Sequence, residues 1–224
     1  MSSTERGAPP LFVVIDGVDG CGKSTQAQLL VERLTASADP GQGPAHLREP
    51  GSTDLGERVR ALLLDRSLHM EAAVETLLFA AARRQMLDEL VKPALVAGRD
   101  VVCERFHPST FAYQAVAGEL EEDAVLNLLQ GWASDPMPDL IVLLEVPVDA
   151  ATRRRGAATD RIEDKGAAYQ ERVAEGYRVY AKRDPRVAVI DGTRTPDQVA
   201  KDVAEAVHRA RQLAAAQPGA KSWN

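Results

Sequence analysis

The chain has 224 residues, enough for one domain or slightly more. With 27% charged residues and 45% from the AVILMFWYC set, it has the composition of a globular protein, which excludes a disordered or fibrous chain. Lys and Arg total 27 against 33 Asp and Glu, a net charge of −6 that argues against a uniformly basic face for duplex nucleic acid or an anionic membrane. Cys21 and Cys103 are too few for a disulfide framework or a Cys/His zinc site, and His46, His69, His107 and His208 lack metal-ligand spacing. No run approaches the ~18 apolar residues of a membrane span or forms a secretion-signal core. The expectation is a cytoplasmic protein without nucleic-acid or membrane partners.

Residues 1–10 are rich in Ser, Gly and Pro and read as a flexible tail. Residues 11–16 (LFVVID) are apolar without alternation, the pattern of a strand buried on both faces. A helical pattern follows over residues 23–37, then a surface loop at residues 40–44 (PGQGP) and a weaker strand at residues 45–48. Helices are expected at residues 55–64 and 71–97, a strand at 100–103 (DVVC), a helix at 121–132 and a strand at 140–145 (LIVLLE). Residues 153–164 read as a charged excursion inside the same domain. A helix at 168–183, a strand at 187–190 and a helix at 196–213 complete the pattern. The last helix has Thr195 as N-cap, Pro196 at the first helical position and Gln198 completing a capping box, while Val199, Val203 and Val207 share one face. Residues 214–224 read as a second tail. Strands alternating with helices predict an α/β fold: a parallel sheet of about five strands with right-handed crossovers and helices on both sides, one domain over residues 11–213.

Residues 17–24 read GVDGCGKS and satisfy G-x-x-x-x-G-K-[ST] between a strand and a helix, the context a phosphate-binding P-loop requires. Gly17, Val18, Asp19, Gly20, Cys21 and Gly22 form a loop whose glycines allow backbone N–H groups to face phosphate oxygens. Lys23 adds a mobile positive charge for the terminal phosphates, Ser24 supplies a hydroxyl for Mg²⁺, and Thr25 follows in the first helical turn. The motif by itself implies nucleotide binding and does not say what happens to the nucleotide. Cys21 lies where a helix N-terminus can lower a thiol pKa, or it is simply a small residue that fits.

Arg48 in REPG, Arg83 and Arg84 in a helix and Arg105 after the third strand stand near the carboxyl ends of strands, where ligands bind in an open parallel sheet. Guanidinium groups arriving from several elements suggest a second phosphate site. The segments GVDGCGKST, REPGSTDLGERVRALLLD, LLFAAARRQ, ERFHPSTFAYQ and RRRGAATDRIED, in this order and spacing, resemble the thymidylate kinase family over residues 11–213.

The resemblance implies a P-loop NTPase three-layer fold, a phosphoryl transfer from ATP to dTMP with Mg²⁺, and a homodimer. It implies that Asp19 faces the deoxyribose 3′-hydroxyl and the Mg²⁺ region, and that Arg48 and Arg105 hold the monophosphate. Phe79 stacks on the base, Arg83 bonds its carbonyl edge, Ser109 and Gln114 line the base pocket, and Tyr113 packs under the sugar. The catalytic arginine is expected on a short lid at residues 153–164, as one of Arg153, Arg154 and Arg155, since Val18 to Cys21 contain none. The chain departs from the family pattern at Ser52, at Asp16 and at Glu104. Glu104 either orients Arg105 or contacts Mg²⁺ through water, and its extra methylene is expected to be compensated by the shorter Asp16. Asp191-Gly192-Thr193 either borders the adenine or is a plain turn. Two alternatives stay open: a kinase for another nucleoside monophosphate or a deoxynucleoside, and a non-catalytic P-loop regulator.

Overall fold

The structure is a computed structural model that describes residues 9–156, 161–162 and 165–216. In chain order its elements are β1 (Phe12–Asp16), α1 (Lys23–Ser37), β2 (Ala45–Arg48), α2 (Asp54–Leu64), α3 (Ala72–Met86), α4 (Lys92–Val96), β3 (Val101–Glu104), α5 (His107–Thr110), α6 (Glu122–Trp132), β4 (Leu140–Glu145), α7 (Val148–Arg155), α8 (Ala167–Arg183), β5 (Val187–Asp191) and α9 (Pro196–Ala216).

The five strands form one parallel sheet in the order β2-β3-β1-β4-β5. Parallel strands need crossovers, and the helices that supply them cover both faces. Alternation along β1 makes this visible. Val13 and Ile15 pack with Ala27 and Leu30 of α1 and Val199, Val203 and Val207 of α9. Phe12 and Val14 pack instead with Met86, Leu95, Phe111 and Leu129 on the other face. All five residues of β1 are inaccessible, and each fully buried apolar side chain contributes about 1.5–3 kcal/mol. Strand β1 is therefore the central, best anchored element, and the loop that leaves its carboxyl end is held at the middle of the sheet edge.

Three differences from the sequence expectation have local causes. The pattern at residues 71–97 is one helical run interrupted by a π-helical turn, Leu87–Val91, where the N–H of Lys92 bonds the carbonyl of Leu87. Pro93 has no N–H and its ring would crowd the preceding turn, and the wider π-turn relieves this. Helix α5 runs into a second π-helical segment, Phe111–Val116, which the sequence reading passed over because FAYQAV is apolar nearly all round and buried, so it shows no amphipathic stripe. Helix α7 ends in Arg153, Arg154 and Arg155, so the first part of the expected charged excursion is helix. Of the expected lid, residues 157–160 and 163–164 lie outside the described residues, as do 1–8 and 217–224 of the expected tails. Helix α9 continues through Ala216. Its capping box is present: Thr195 Oγ1 accepts from the Gln198 N–H at 3.4 Å, and the Thr195 N–H donates to Gln198 Oε1 at 3.3 Å. No described helix is long and apolar enough to cross a membrane.

Candidate active site

Between β1 and α1 the P-loop turns over the sheet edge. Gly22, with φ 102°, is the residue before α1, and a Cβ there would meet nothing within 4 Å, so the backbone turn is what requires glycine. Lys23 arches back over the loop: its Nζ donates to the carbonyls of Gly17 at 3.0 Å and Val18 at 2.9 Å and lies 3.5 Å from Asp19. Ser24 Oγ donates to Glu104 Oε2 at 2.5 Å, and Glu104 Oε1 is 3.1 Å from His46 Nε2. The Cys21 thiol is buried, and burial pushes its pKa up despite the nearby Lys23 and Arg105 charges, which favours the reading of a small residue that fits the loop over that of an activated thiolate.

Asp16, at the end of β1, fastens the neighbouring loop. Its Oδ1 accepts from the Gly17 N–H at 2.8 Å, Ser109 Oγ at 2.7 Å and the Tyr177 hydroxyl at 2.9 Å, and its Oδ2 accepts from the N–H groups of Phe106 and Ser109 at 3.1 Å. Because Ile15 pairs with Glu104 across β1 and β3, Asp16 and Glu104 point to opposite faces of the sheet. They share no partner, so the expected compensation between them has no contact to act through. Nor does Glu104 orient Arg105, which is held instead by Asp19 and by Ser109 Oγ at 3.1 Å.

Beside the P-loop lies a cleft of about 230 Å³ lined by, among others, Asp19, Phe79, Arg83, Arg105, Tyr113 and Gln114. At its P-loop end Asp19 accepts from Arg105 and, at 2.8 Å, from the Tyr113 hydroxyl. Burial acts to raise the Asp19 pKa, but the Arg105 and Lys23 charges outweigh it and hold the carboxyl well below the usual range. Arg105 sits at φ 68° with its guanidinium 5.6 Å over the Tyr113 ring. At the far end Arg83 is fully buried; its Nε donates to Glu49 Oε2 at 2.8 Å and its Nη2 to Thr110 Oγ1 at 2.9 Å, Nη2 also forms an ion pair with Glu49 Oε1, and its Nη1 has no hydrogen-bond partner among the described residues. Burial pushes Glu49 up to about 7, against the pull of Arg83.

The sequence profile of the thymidylate kinase family matches residues 15–203. The chain belongs to the thymidylate kinase family. It is 39% identical over 195 residues to the thymidylate kinase of Fervidobacterium nodosum, covering 86% of this chain and 96% of that one. With the thymidylate kinase of Gluconobacter oxydans the identity is 41% over 204 residues, covering 88% and 94%. The crystal structure of thymidylate kinase from Ehrlichia chaffeensis superposes with a TM-score of 0.73 at 29% identity, covering 89% of this chain and 99% of that one.

Against this thymidylate kinase fold, the residues expected from sequence divide into those brought together and those held apart. Asp19, Phe79, Arg83, Arg105, Ser109, Tyr113 and Gln114 all line the cleft. Ser109 does so with its hydroxyl committed to Asp16, Tyr177 and Arg105. Arg48 lies outside the cleft lining, its Nη2 3.2 Å from both carboxylate oxygens of Glu57, and Arg60 lines the cleft in its place. Arg153 is exposed and paired with Asp149 at 2.7 Å, and Arg154 donates to the carbonyls of Gly192 at 2.8 Å and Thr193 at 3.3 Å. Arg155 has its Cβ beside the P-loop: a Cβ on Gly20 would stand 3.2 Å from it and 2.1 Å from the Ala151 carbonyl oxygen. The turn after β5 also borders the P-loop, since a Cβ on Gly192 would lie 3.4 Å from the Cys21 carbonyl. Missed from sequence were Asp16 as a hub, Glu49, Arg60, His46 and the buried Glu75. An isolated acid in a helix or a strand end carries no signal of the partners that folding brings to it.

Proposed function

We propose that the protein is an ATP-dependent thymidylate kinase that moves the γ-phosphoryl group of ATP to dTMP, giving dTDP for nucleotide biosynthesis. The observation that carries this reading is an intact P-loop opening onto a cleft with Arg105 at the near end and Phe79 and the unpartnered Arg83 Nη1 at the far end. Those two ends suit a phosphate and a base with a carbonyl edge. Phe79 offers a flat apolar face for the base, and Tyr113, tethered through its hydroxyl to Asp19, fills space beneath the sugar that a 2′-hydroxyl would need.

The acceptor atom is an ionised phosphate oxygen, so the step needs no general base and no covalent intermediate. Lys23 is placed to leave the loop carbonyls for the terminal phosphates of the bound nucleotide. Ser24 and Glu104 are adjacent hard oxygen donors and fit Mg²⁺, which takes one or two protein ligands and keeps several waters. When bound there, Mg²⁺ supplies neutralisation of charge on the donor phosphates. Arg155, whose Cβ lies beside Gly20 of the P-loop, is the one we place against the phosphoryl group in flight. Arg48 would need to leave Glu57 to meet the monophosphate, and its exposure permits that movement.

A coupled ADP-release assay with ATP and Mg²⁺ across the nucleoside monophosphates tests the assignment. The expected outcome is the highest kcat/KM with dTMP; greater efficiency on another monophosphate rejects it. The dissolved nucleotide substrates suit a cytoplasmic location. We also propose a homodimer, through the exposed Leu55 and Leu62 of α2 and Val74 and Leu77 of α3, which sedimentation velocity checks.

A further inference from the structure

Glu75 lies on α3 with no accessible surface, yet neither the P-loop chemistry nor the phosphate site uses it. Its Oε2 accepts from Gln114 Nε2 at 2.9 Å, and its Oε1 accepts from Arg161 Nη1 at 2.6 Å and lies 3.3 Å from Lys165 Nζ. Burial acts to raise the carboxyl pKa, but these hydrogen bonds and cations outweigh it and hold the pKa below the ordinary value, so the group is a carboxylate. A carboxylate has acceptors and no donor. The Gln114 amide must therefore turn its NH₂ toward Glu75, because the opposite orientation would set a carbonyl oxygen against a buried carboxylate oxygen.

That constraint decides what Gln114 offers on its other side. Gln114 lines the acceptor cleft, and its Oε1 is buried without a hydrogen-bond partner. Arg83 lines the same cleft, and its Nη1 is likewise buried without a hydrogen-bond partner among the described residues. Two cleft-lining residues thus hold one uncommitted acceptor and one uncommitted donor. A pyrimidine with a 4-carbonyl and an N3–H matches that pair, whereas one with a 4-amino group and a bare N3 opposes it at both points.

We infer that Glu75 is a specificity-positioning residue: by fixing the orientation of the Gln114 amide it makes the cleft select a base with a ring N–H beside its carbonyl. Glu75 itself touches no substrate. Arg161 and Lys165, which precede α8, act one step further back by keeping it ionised, and Arg161 is itself fixed by two bonds to the Leu63 carbonyl at 3.0 and 3.2 Å. The inference rests on the reading of this cleft as the dTMP site.

The test measures kcat and KM for dTMP and dCMP in the unmutated protein, in Glu75→Gln, and in the exchanged pair Glu75→Gln with Gln114→Glu. In Glu75→Gln the amide at 75 no longer dictates the orientation of the one at 114. The preference for dTMP over dCMP in kcat/KM should fall by about tenfold or more, through KM for dTMP, with kcat within about threefold. The exchanged pair again leaves an acceptor oxygen facing the cleft, and it should regain most of the preference. A preference unchanged in Glu75→Gln while dTMP is still turned over overturns the inference and leaves the kinase reading standing. An equal loss on both substrates, or no recovery in the exchanged pair, assigns Glu75 a merely structural part and overturns it too. Absence of dTMP turnover in the unmutated protein rejects the functional reading and this inference with it. Should Glu75→Gln fail to fold, the Gln114 side-chain amide resonance of the unmutated protein decides: it should exchange slowly and stay in place on dTMP addition, and NH₂ protons in contact with the base overturn the inference.

Discussion

The two halves of the site are built on different principles. On the donor side, eight consecutive residues close on themselves, and Lys23 reaches carbonyls only five and six positions back. On the acceptor side, the contacts that set the cleft join residues 27 to 94 positions apart: Arg83 with Thr110, Arg83 with Glu49, Gln114 with Glu75 and Tyr113 with Asp19. The donor side is made mostly of backbone, with the Lys23 side chain bonded to its own loop carbonyls. The acceptor side buries charged side chains, which repays their desolvation only while each partner stays in place. A backbone cradle is thus robust to the rest of the fold, and a cleft of buried pairs is not.

The largest effect is expected at the arginine we place on the transferred group. Arg155→Ala should lower kcat by about 10³-fold with KM for dTMP within about threefold, since a supplied arginine acts on charge present only in the transition state. Arg153→Ala should change both by less than threefold, because its side chain is exposed and, among the described residues, pairs with Asp149. Steady-state kinetics on the two variants decides, and a greater loss from Arg153 than from Arg155 removes the assignment. Next, Arg83→Met leaves Glu49 buried without its partner. Breaking such a pair costs about 3–5 kcal/mol, and proton uptake by Glu49 should bring this to ~2–3 kcal/mol at neutral pH, together with weaker dTMP binding. Lys23→Met, which removes hydrogen bonds to two loop carbonyls, should cost about 1–2 kcal/mol while abolishing turnover. Urea unfolding of both variants measures the contrast; equal destabilisation would show that the P-loop depends on long-range support as much as the cleft does.

This division also explains what could be read from the sequence. All five strands and the P-loop were legible because buried parallel strands are continuous apolar runs and the loop motif is contiguous. The cleft residues Phe79, Tyr113 and Gln114 were named only through the family resemblance, since nothing local separates them from core residues, and the resemblance likewise moved Arg83 from a general phosphate-site arginine to the base. The π-helical segment Phe111–Val116, which carries Tyr113 and Gln114 into the cleft, shows neither a helical stripe nor a cap. REPG marks a strand end but says nothing of Glu57, nine residues on, which takes the Arg48 guanidinium and sets it outside the cleft lining. Glu104 was read beside Arg105 because the two are neighbours in sequence, and strand alternation sends them to different partners.

The smallest effect expected is in the pH dependence of stability, where two buried groups near Arg83 oppose each other. Glu49 has its pKa raised from 4.5 to about 7 by burial, so the folded state holds a proton there that the unfolded chain has released. Its stabilising contribution is fully present below about 4.5 and is lost as pH rises toward about 7, with a limiting slope of ~1.4 kcal/mol per pH unit. His107 does the reverse. Its ring stacks on Phe106 at 4.4 Å and meets the Ala133 carbonyl at 2.6 Å, and burial, with the Arg83 charge, pushes its pKa well below 6.5. The unfolded chain therefore takes up a proton below 6.5 that the folded state refuses, so stability falls as pH drops, with the same limiting slope. Between about 4.5 and 6.5 the two slopes cancel, and the lowered carboxylates Asp19, Glu75 and Asp184 act only below that window. The unmutated protein should then show nearly flat stability across the window. Glu49→Gln should expose the histidine and make stability rise with pH, His107→Gln should expose the glutamate and make it fall, and the double variant should be flat again. Urea titrations at half-unit pH steps test this. A flat profile in either single variant means that the group left in place does not titrate differently on folding, and the acceptor side would then be less dependent on its buried charges than the comparison with the P-loop requires.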